Sequence, residues 1–306
     1  MTIKALDALA KGYQRSINAR IGVAILYAAD LLVVLPFAYA LRSTLMAAAG
    51  ASVDYGTLLS GFDFTLISDL VRSQRGALGS LLDAAAGATL IYFALNVFFS
   101  GGILASVRQD GMAVTAADFF AGAARYCGRF FRLAAIVFGG GVLVAVPLLT
   151  AVFALLGLWE DGAQSEIPQT IVLGLEFLCM LLMLVSVILV YDYARIDAVL
   201  TDGTSMRRSA WRGVRFVYRR LGRTVKLQIL LVLLFLLLTA AYLALAELLG
   251  TSSPVALFAT VIVQQLYVVQ RIGLRIFGFA AEAVLYRELN PEGGGIPGWH
   301  AGHTWE

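Results

Sequence analysis

Long apolar runs bounded by clusters of charge recur six times along the chain, near residues 21–41, 77–105, 133–158, 168–191, 225–249 and 254–276. A helix rises 1.5 Å per residue, so about 20 apolar residues cross a hydrocarbon layer ~30 Å thick. The pattern predicts an all-α, polytopic membrane protein with six transmembrane helices. The first run follows Lys4, Lys11, Arg15 and Arg20, as the apolar part of a secretory signal would. It exceeds the roughly 7 to 15 apolar residues of such a signal, so it reads as a retained span.

Between the runs the periodicity changes. In the leader, Ile3, Leu6, Ala10, Tyr13 and Ile17 step by three and four along one helical face, while Lys4, Lys11 and Arg15 take another. Before the third run, Thr115-Ala-Ala-Asp118 predicts a capping box. Beyond it Phe119, Phe120, Ala123, Cys127, Phe130 and Phe131 share a face, opposite Gly122, Arg125, Arg129 and Arg132. Before the fifth run, Arg208, Arg212, Arg215, Arg219 and Arg223 form a stripe opposite Trp211, Val214, Val217, Leu221 and Val225. The second, fourth and sixth runs end in related text, most clearly where Asp197-Ala-Val-Leu200 matches Glu282-Ala-Val-Leu285.

The expected unit is therefore a cytoplasmic amphipathic helix, a span, an outer turn and a second span, repeated three times. The repeats fall near 3–111, 112–203 and 204–289, within one transmembrane domain over 1–290. Residues 291–306 are expected to be a flexible cytoplasmic tail, too short and glycine-rich to fold alone.

Composition agrees with a chain that needs lipid as solvent: 60% of the 306 residues are hydrophobic and 14% charged, with mean hydropathy +0.82. An ordinary soluble domain carries about 25% charged residues. The net charge of +3 conceals a strong asymmetry, because the leader, the two basic connections and the C-terminal end hold 20 of the 23 Lys and Arg residues. The opposite side offers Arg42, Arg72 and Arg75 against Asp54, Asp63, Asp69, Glu160, Asp161 and Glu166. The positive-inside rule makes the basic side cytoplasmic, with both ends there, as in a bacterial inner-membrane protein.

Apolar residues facing arginines suit helices lying in an anionic headgroup layer, where each base contributes roughly 1 kcal/mol. Lys11, Arg15, Arg125, Arg129, Arg132, Arg208, Trp211, Arg212, Arg215, Arg219 and Arg223 are thus candidates for binding membrane lipids, anionic ones above all, or a membrane-protein partner or second copy. The plainer alternative is that they only orient the spans. Nucleic acid is a poor partner, because the apolar residues opposite the arginines require burial.

Ionisable groups inside spans are costly and so mark candidate sites. Asp30 lies about 13 Å into the first span at 1.5 Å per residue. With Glu176, Asp192, Arg271, Arg275 and Glu282 it defines a candidate intramembrane polar centre, in which Arg271 reaches Asp30 or Asp192. The competing account has Arg271 snorkelling to the cytoplasmic boundary. Gly139-Gly-Gly141 and Pro147 in the third run indicate either a cavity or close helix packing, with packing favoured.

Little other chemistry suggests itself. His300 and His303 both lie in the last seven residues, and Gly302 disfavours the helical spacing that a metal clamp with Glu306 would need. Cys127 and Cys179 fall in a basic connection and a span. No disulfide, metal, cofactor or catalytic group is expected.

Three two-span units with surface helices bring mitochondrial carriers to mind, but in those the surface helix lies between the two spans of each unit. The Gly-rich end of the second run, the Asp-Gly turns at 110–111 and 202–203 and the basic helices before the odd runs resemble a set of bacterial six-span proteins of unknown function. They also resemble the membrane domain attached to some glycerophosphodiester phosphodiesterases. The resemblance implies a six-span fold without a phosphodiesterase catalytic domain in these residues. The leading expectation is a non-catalytic membrane scaffold or accessory subunit; the alternative is a small-solute or lipid transporter or channel built on the polar centre.

Overall fold

In a computed structural model, residues 5–49, 75–108, 114–160, 166–250 and 253–290 are described. They form eight helices: α1 Ala5–Asn18, α2 Arg20–Ala49, α3 Arg75–Arg108, α4 Ala116–Glu160, α5 Glu166–Leu200, α6 Met206–Arg219, α7 Leu221–Leu249 and α8 Pro254–Leu289. There is no strand among the described residues. Six of these helices, α2, α3, α4, α5, α7 and α8, are long and apolar enough to cross a membrane. The expectations for Ile3, Lys4, the acids of 54–69, Asp110, Gly111, Asp161 and the tail with His300, His303 and Glu306 lie outside the described residues.

Local sequence explains where several helices start. Thr115 Oγ1 accepts from the Asp118 backbone N–H at 3.2 Å, and Asp118 accepts from the Thr115 N–H at 3.1 Å, the reciprocal box expected before α4. At α8, Ser253 accepts from the Ala256 N–H at 3.1 Å and Pro254 takes the first turn, where its missing N–H costs nothing. Single residues join α1 to α2 and α6 to α7, so each short helix turns directly into a long one. The basic segment before the third span behaves differently, because α4 runs unbroken from Ala116 to Glu160, with Pro147 inside it.

The chain divides into two compact units, Met1–Val23 with Ser100–Glu306, and Ala24–Phe99. In the first, α1 packs on α8, α4 on α5 and α6, α5 on α6 and α8, and α7 on α8. Its core gathers at one end of the helices: residues 119–137 of α4, 189–200 of α5 and 272–286 of α8 hold most of the buried side chains. Away from that end the apolar surface stays open, with Leu248 83% and Val255 78% exposed. So much uncovered apolar surface is untenable in water and suits a hydrocarbon surround.

Small residues set the closest approaches. A Cβ at Gly12 of α1 would stand 2.8 Å from the Ala281 backbone of α8. One at Gly213 of α6 would stand 3.0 Å from the Val190 carbonyl of α5, and one at Gly102 of α3 would stand 2.8 Å from the Phe119 carbonyl of α4. These contacts decide which faces of α1 and α6 turn to the rest of the protein. In α1 the buried residues are Ala8 and Gly12, while Tyr13 and Ile17 are exposed. In α6 they are Met206, Ser209, Ala210, Gly213, Phe216 and Val217, while Trp211 is 68% exposed. Where the surround is as apolar as the core, burying large side chains gains little and close backbone contact decides which face turns inward. In the stretch at Gly139-Gly-Gly141, Gly141 faces Val187 too closely for a Cβ, and Gly140 and Gly141 border a cavity of about 430 Å³.

The second unit holds the remaining parts of α2 and α3. Pro36, Phe37 and Ala40 face Ala84, Gly87 and Ile91 across a cavity of about 420 Å³, and Asp30 is half-buried.

Candidate functional site

The last three turns of α5 read Tyr191-Asp-Tyr-Ala-Arg-Ile-Asp-Ala-Val-Leu200, and nearly all of this text is buried. Buried charge must be paired, since taking an ion from water costs several kcal/mol. Asp192 pairs with Arg195 three residues on. The Arg195 guanidinium lies over the Tyr191 ring at 4.2 Å and the Phe279 ring at 4.9 Å, where ring faces attract a cation.

Asp197, 1% exposed, joins three helices. It accepts from the Tyr286 hydroxyl of α8 at 2.7 Å, and Arg212 Nη2 of α6 lies 2.9 Å from its other oxygen. That second contact is one of charge, off the line of a good hydrogen bond. Around it Phe216 packs 4.6 Å from Tyr286 and 4.9 Å from Tyr193, centroid to centroid. Each ring pair adds about 1 kcal/mol beyond its buried area.

One turn on, Asp202 follows the end of α5 with φ 47°, in the left-handed region that Asp tolerates better than most residues. Its carboxylate takes ion pairs from Arg125 and, at 2.9 Å, from Arg129 of α4. Tyr126 donates to it at 3.4 Å, and Arg108 donates to the Val199 carbonyl at 3.2 Å. Partial burial works against the charge, but the Arg129 hydrogen bond and the fields of Arg125, Arg129 and Arg108 outweigh it. They hold the Asp202 carboxyl below its ordinary value of 3.8.

Beside this network Asp192, Arg271, Arg275 and Glu282 line a single cavity of about 310 Å³ between α7, α8 and the end of α5. Gln228 completes its polar lining; Leu231, Val232 and Phe235 are among the apolar remainder. Several deeply buried polar atoms in this region have no hydrogen-bond partner among the described residues: the Tyr191 and Tyr193 hydroxyls, Arg195 Nε and Glu282 Oε2.

Four of the six residues expected to form a polar centre are thus brought together. Glu176 is half-buried on α5 away from that cavity, and Asp30 belongs to the second unit. The arginines expected at a lipid surface divide. Arg125, Arg129 and Arg212 bind the acids of α5 and its terminus, and Lys11 meets Glu288 at 2.9 Å. Arg132, Arg208, Arg215 and Arg219 remain exposed, and Arg15 and Arg223 half-exposed.

Sequence reasoning gave no site role to Arg195, Tyr286, Asp197 or Asp202. A signal was present for Asp197: it aligns with Glu282 in the repeat, and both are buried carboxylates. Among the described residues no group of three or more His, Cys, Asp or Glu is placed to hold a metal ion, and both cysteines are free. No family model matches the chain, and no curated protein or solved structure matches it either.

Proposed function

We propose that the chain is a non-catalytic scaffold or accessory subunit of the bacterial inner membrane. Its basic end lies in the cytoplasm and engages anionic lipid or a partner. Three repeats of amphipathic helix and paired spans would bring all the basic segments to one side, as the placement of 20 of 23 Lys and Arg residues requires.

The observation that carries the reading is the exposed face of α6. Its small residues are buried against α5, leaving Trp211 and Tyr218 beside Arg208, Arg215 and Arg219 on the open surface. An aromatic belt beside a basic row fits the boundary between acyl chains and headgroups. The acids of the α5 terminus favour a structural role over acid–base work, since each already holds an arginine.

Reconstitution in nanodiscs of mixed lipid, followed by mass spectrometry of the lipids retained, tests this reading. Anionic lipid should be enriched around the protein, and the enrichment should fall in a variant carrying Arg208→Gln, Arg215→Gln and Arg219→Gln. Equal retention of anionic and neutral lipids, unchanged in that variant, contradicts it. A transporter or channel is the second reading, and the cavity lined by Asp192, Arg271, Arg275 and Glu282 is what favours it.

A further inference from the structure

That cavity has two chemically distinct ends. Arg271 and Arg275 stand one helical turn apart on α8, so both guanidiniums serve the same face. Glu282 is 5% exposed, lines the cavity, and has an Oε2 that no group among the described residues satisfies. A buried carboxylate oxygen left unmatched costs free energy that a donor from outside would recover. Asp192 sits within electrostatic reach of both Arg275 and Glu282, and so bridges the two ends. The wall is open sideways: Val232 and Phe235 of α7 are 45% and 36% exposed on the apolar surface of a span.

A lipid needs only to slide in from the side. We propose that this cavity holds the headgroup of a phospholipid that joins a phosphate to a primary ammonium, as phosphatidylethanolamine does. The phosphate lies on Arg271 and Arg275, the ammonium donates to Glu282 and Asp192, and an acyl chain follows Val232 and Phe235. Arginine suits phosphate because its planar fork offers paired donors. A primary ammonium brings three N–H donors to the carboxylates. The quaternary ammonium of phosphatidylcholine has none, and phosphatidylglycerol has no cation.

The proposal rests on the membrane reading of the six helices but not on capture of anionic lipid by α6. Its test uses the full chain in detergent, titrated with dioleoyl phosphatidylethanolamine, phosphatidylcholine and phosphatidylglycerol and followed by native mass spectrometry. For the single most tightly held lipid, phosphatidylethanolamine should bind on the order of tenfold more tightly than either of the others, the equivalent of one charge-assisted hydrogen bond, while anionic lipid drawn to the α6 surface adds further, weaker adducts. Glu282→Gln should abolish that preference while leaving phosphatidylglycerol retention unchanged; Arg275→Gln should weaken phosphatidylethanolamine. Equal retention of the three lipids by the unmodified protein overturns the proposal, as does a preference that survives Glu282→Gln. So does displacement of the lipid by soluble glycerophosphoethanolamine at equal concentration, which would make the tail irrelevant.

Should Glu282→Gln fail to fold, phosphatidylethanolamine with a photoreactive acyl chain decides the matter on the unmodified protein. Labelling of residues 228–235 and 271–279 supports the site, and labelling confined elsewhere excludes it. Loss of anionic enrichment in the α6 arginine variant bears on the scaffold reading alone.

Discussion

Asp197 and Asp202 are five residues apart, yet they face opposite demands. Asp197 is buried, so removing a partner leaves an uncompensated charge. Arg212 is itself 43% exposed, so Arg212→Gln should cost about 1 to 2 kcal/mol, between an exposed and a buried pair. Tyr286→Phe should cost about 2 kcal/mol for one hydrogen bond to a charged group. Thermal unfolding in detergent checks both, and a loss below a few tenths in either would show that Asp197 is not held as described. Asp202 is far more open, so its pairs with Arg125 and Arg129 are worth about 1 kcal/mol at most.

The lowered pKa of Asp202 means that its contribution is fully present above the unfolded value of 3.8 and fades as pH falls through the folded value beneath it. Asp202→Asn should therefore unfold at a lower temperature than the parent near neutral pH. The gap should close in acid, below that folded value. A gap that persists there would place the effect in the backbone instead. At this scale the sequence is legible only where partners are close neighbours. The Thr115–Asp118 box is visible in four consecutive residues, whereas the contacts of Asp197 with Arg212 and Tyr286 span 15 and 89 positions that no local pattern encodes.

Among the helices, glycines separate close approach from mere helix interruption. Gly213→Ala must drive a methyl into the α5 backbone and should destabilise by about 2 kcal/mol. Gly128 meets nothing within 4 Å, so Gly128→Ala should instead stabilise α4, by up to about 1 kcal/mol from helix propensity. Paired unfolding measurements that gave the same sign for both would refute the packing described for α6. The long helices were legible because length and hydropathy are local properties. The inward faces of α1 and α6 were not, because Gly12 meets Ala281 and Gly213 meets Val190 and Ala194 across helices that no local pattern links. Trp211 and Tyr13 point outward because a lipid surround removes the advantage of burying them, and Gly213 and Gly12 take the contact.

For the whole molecule, the first unit has a core concentrated where the arginines are, with apolar helices continuing beyond it largely uncovered. In the proposed orientation this ion-paired end lies on one side of a bilayer, with spans leading away from it. Orientation is a property of the membrane, and it follows here from the distribution of basic residues alone. The most direct test replaces Cys127 and Cys179 with serine. Single cysteines are then introduced at Gly128, Arg219, Gly157 and Leu248, and a membrane-impermeant maleimide is applied to intact cells and to inverted vesicles. Positions 128 and 219 should react only in inverted vesicles and positions 157 and 248 only in intact cells; labelling of 128 and 219 from opposite sides would overturn the proposed orientation.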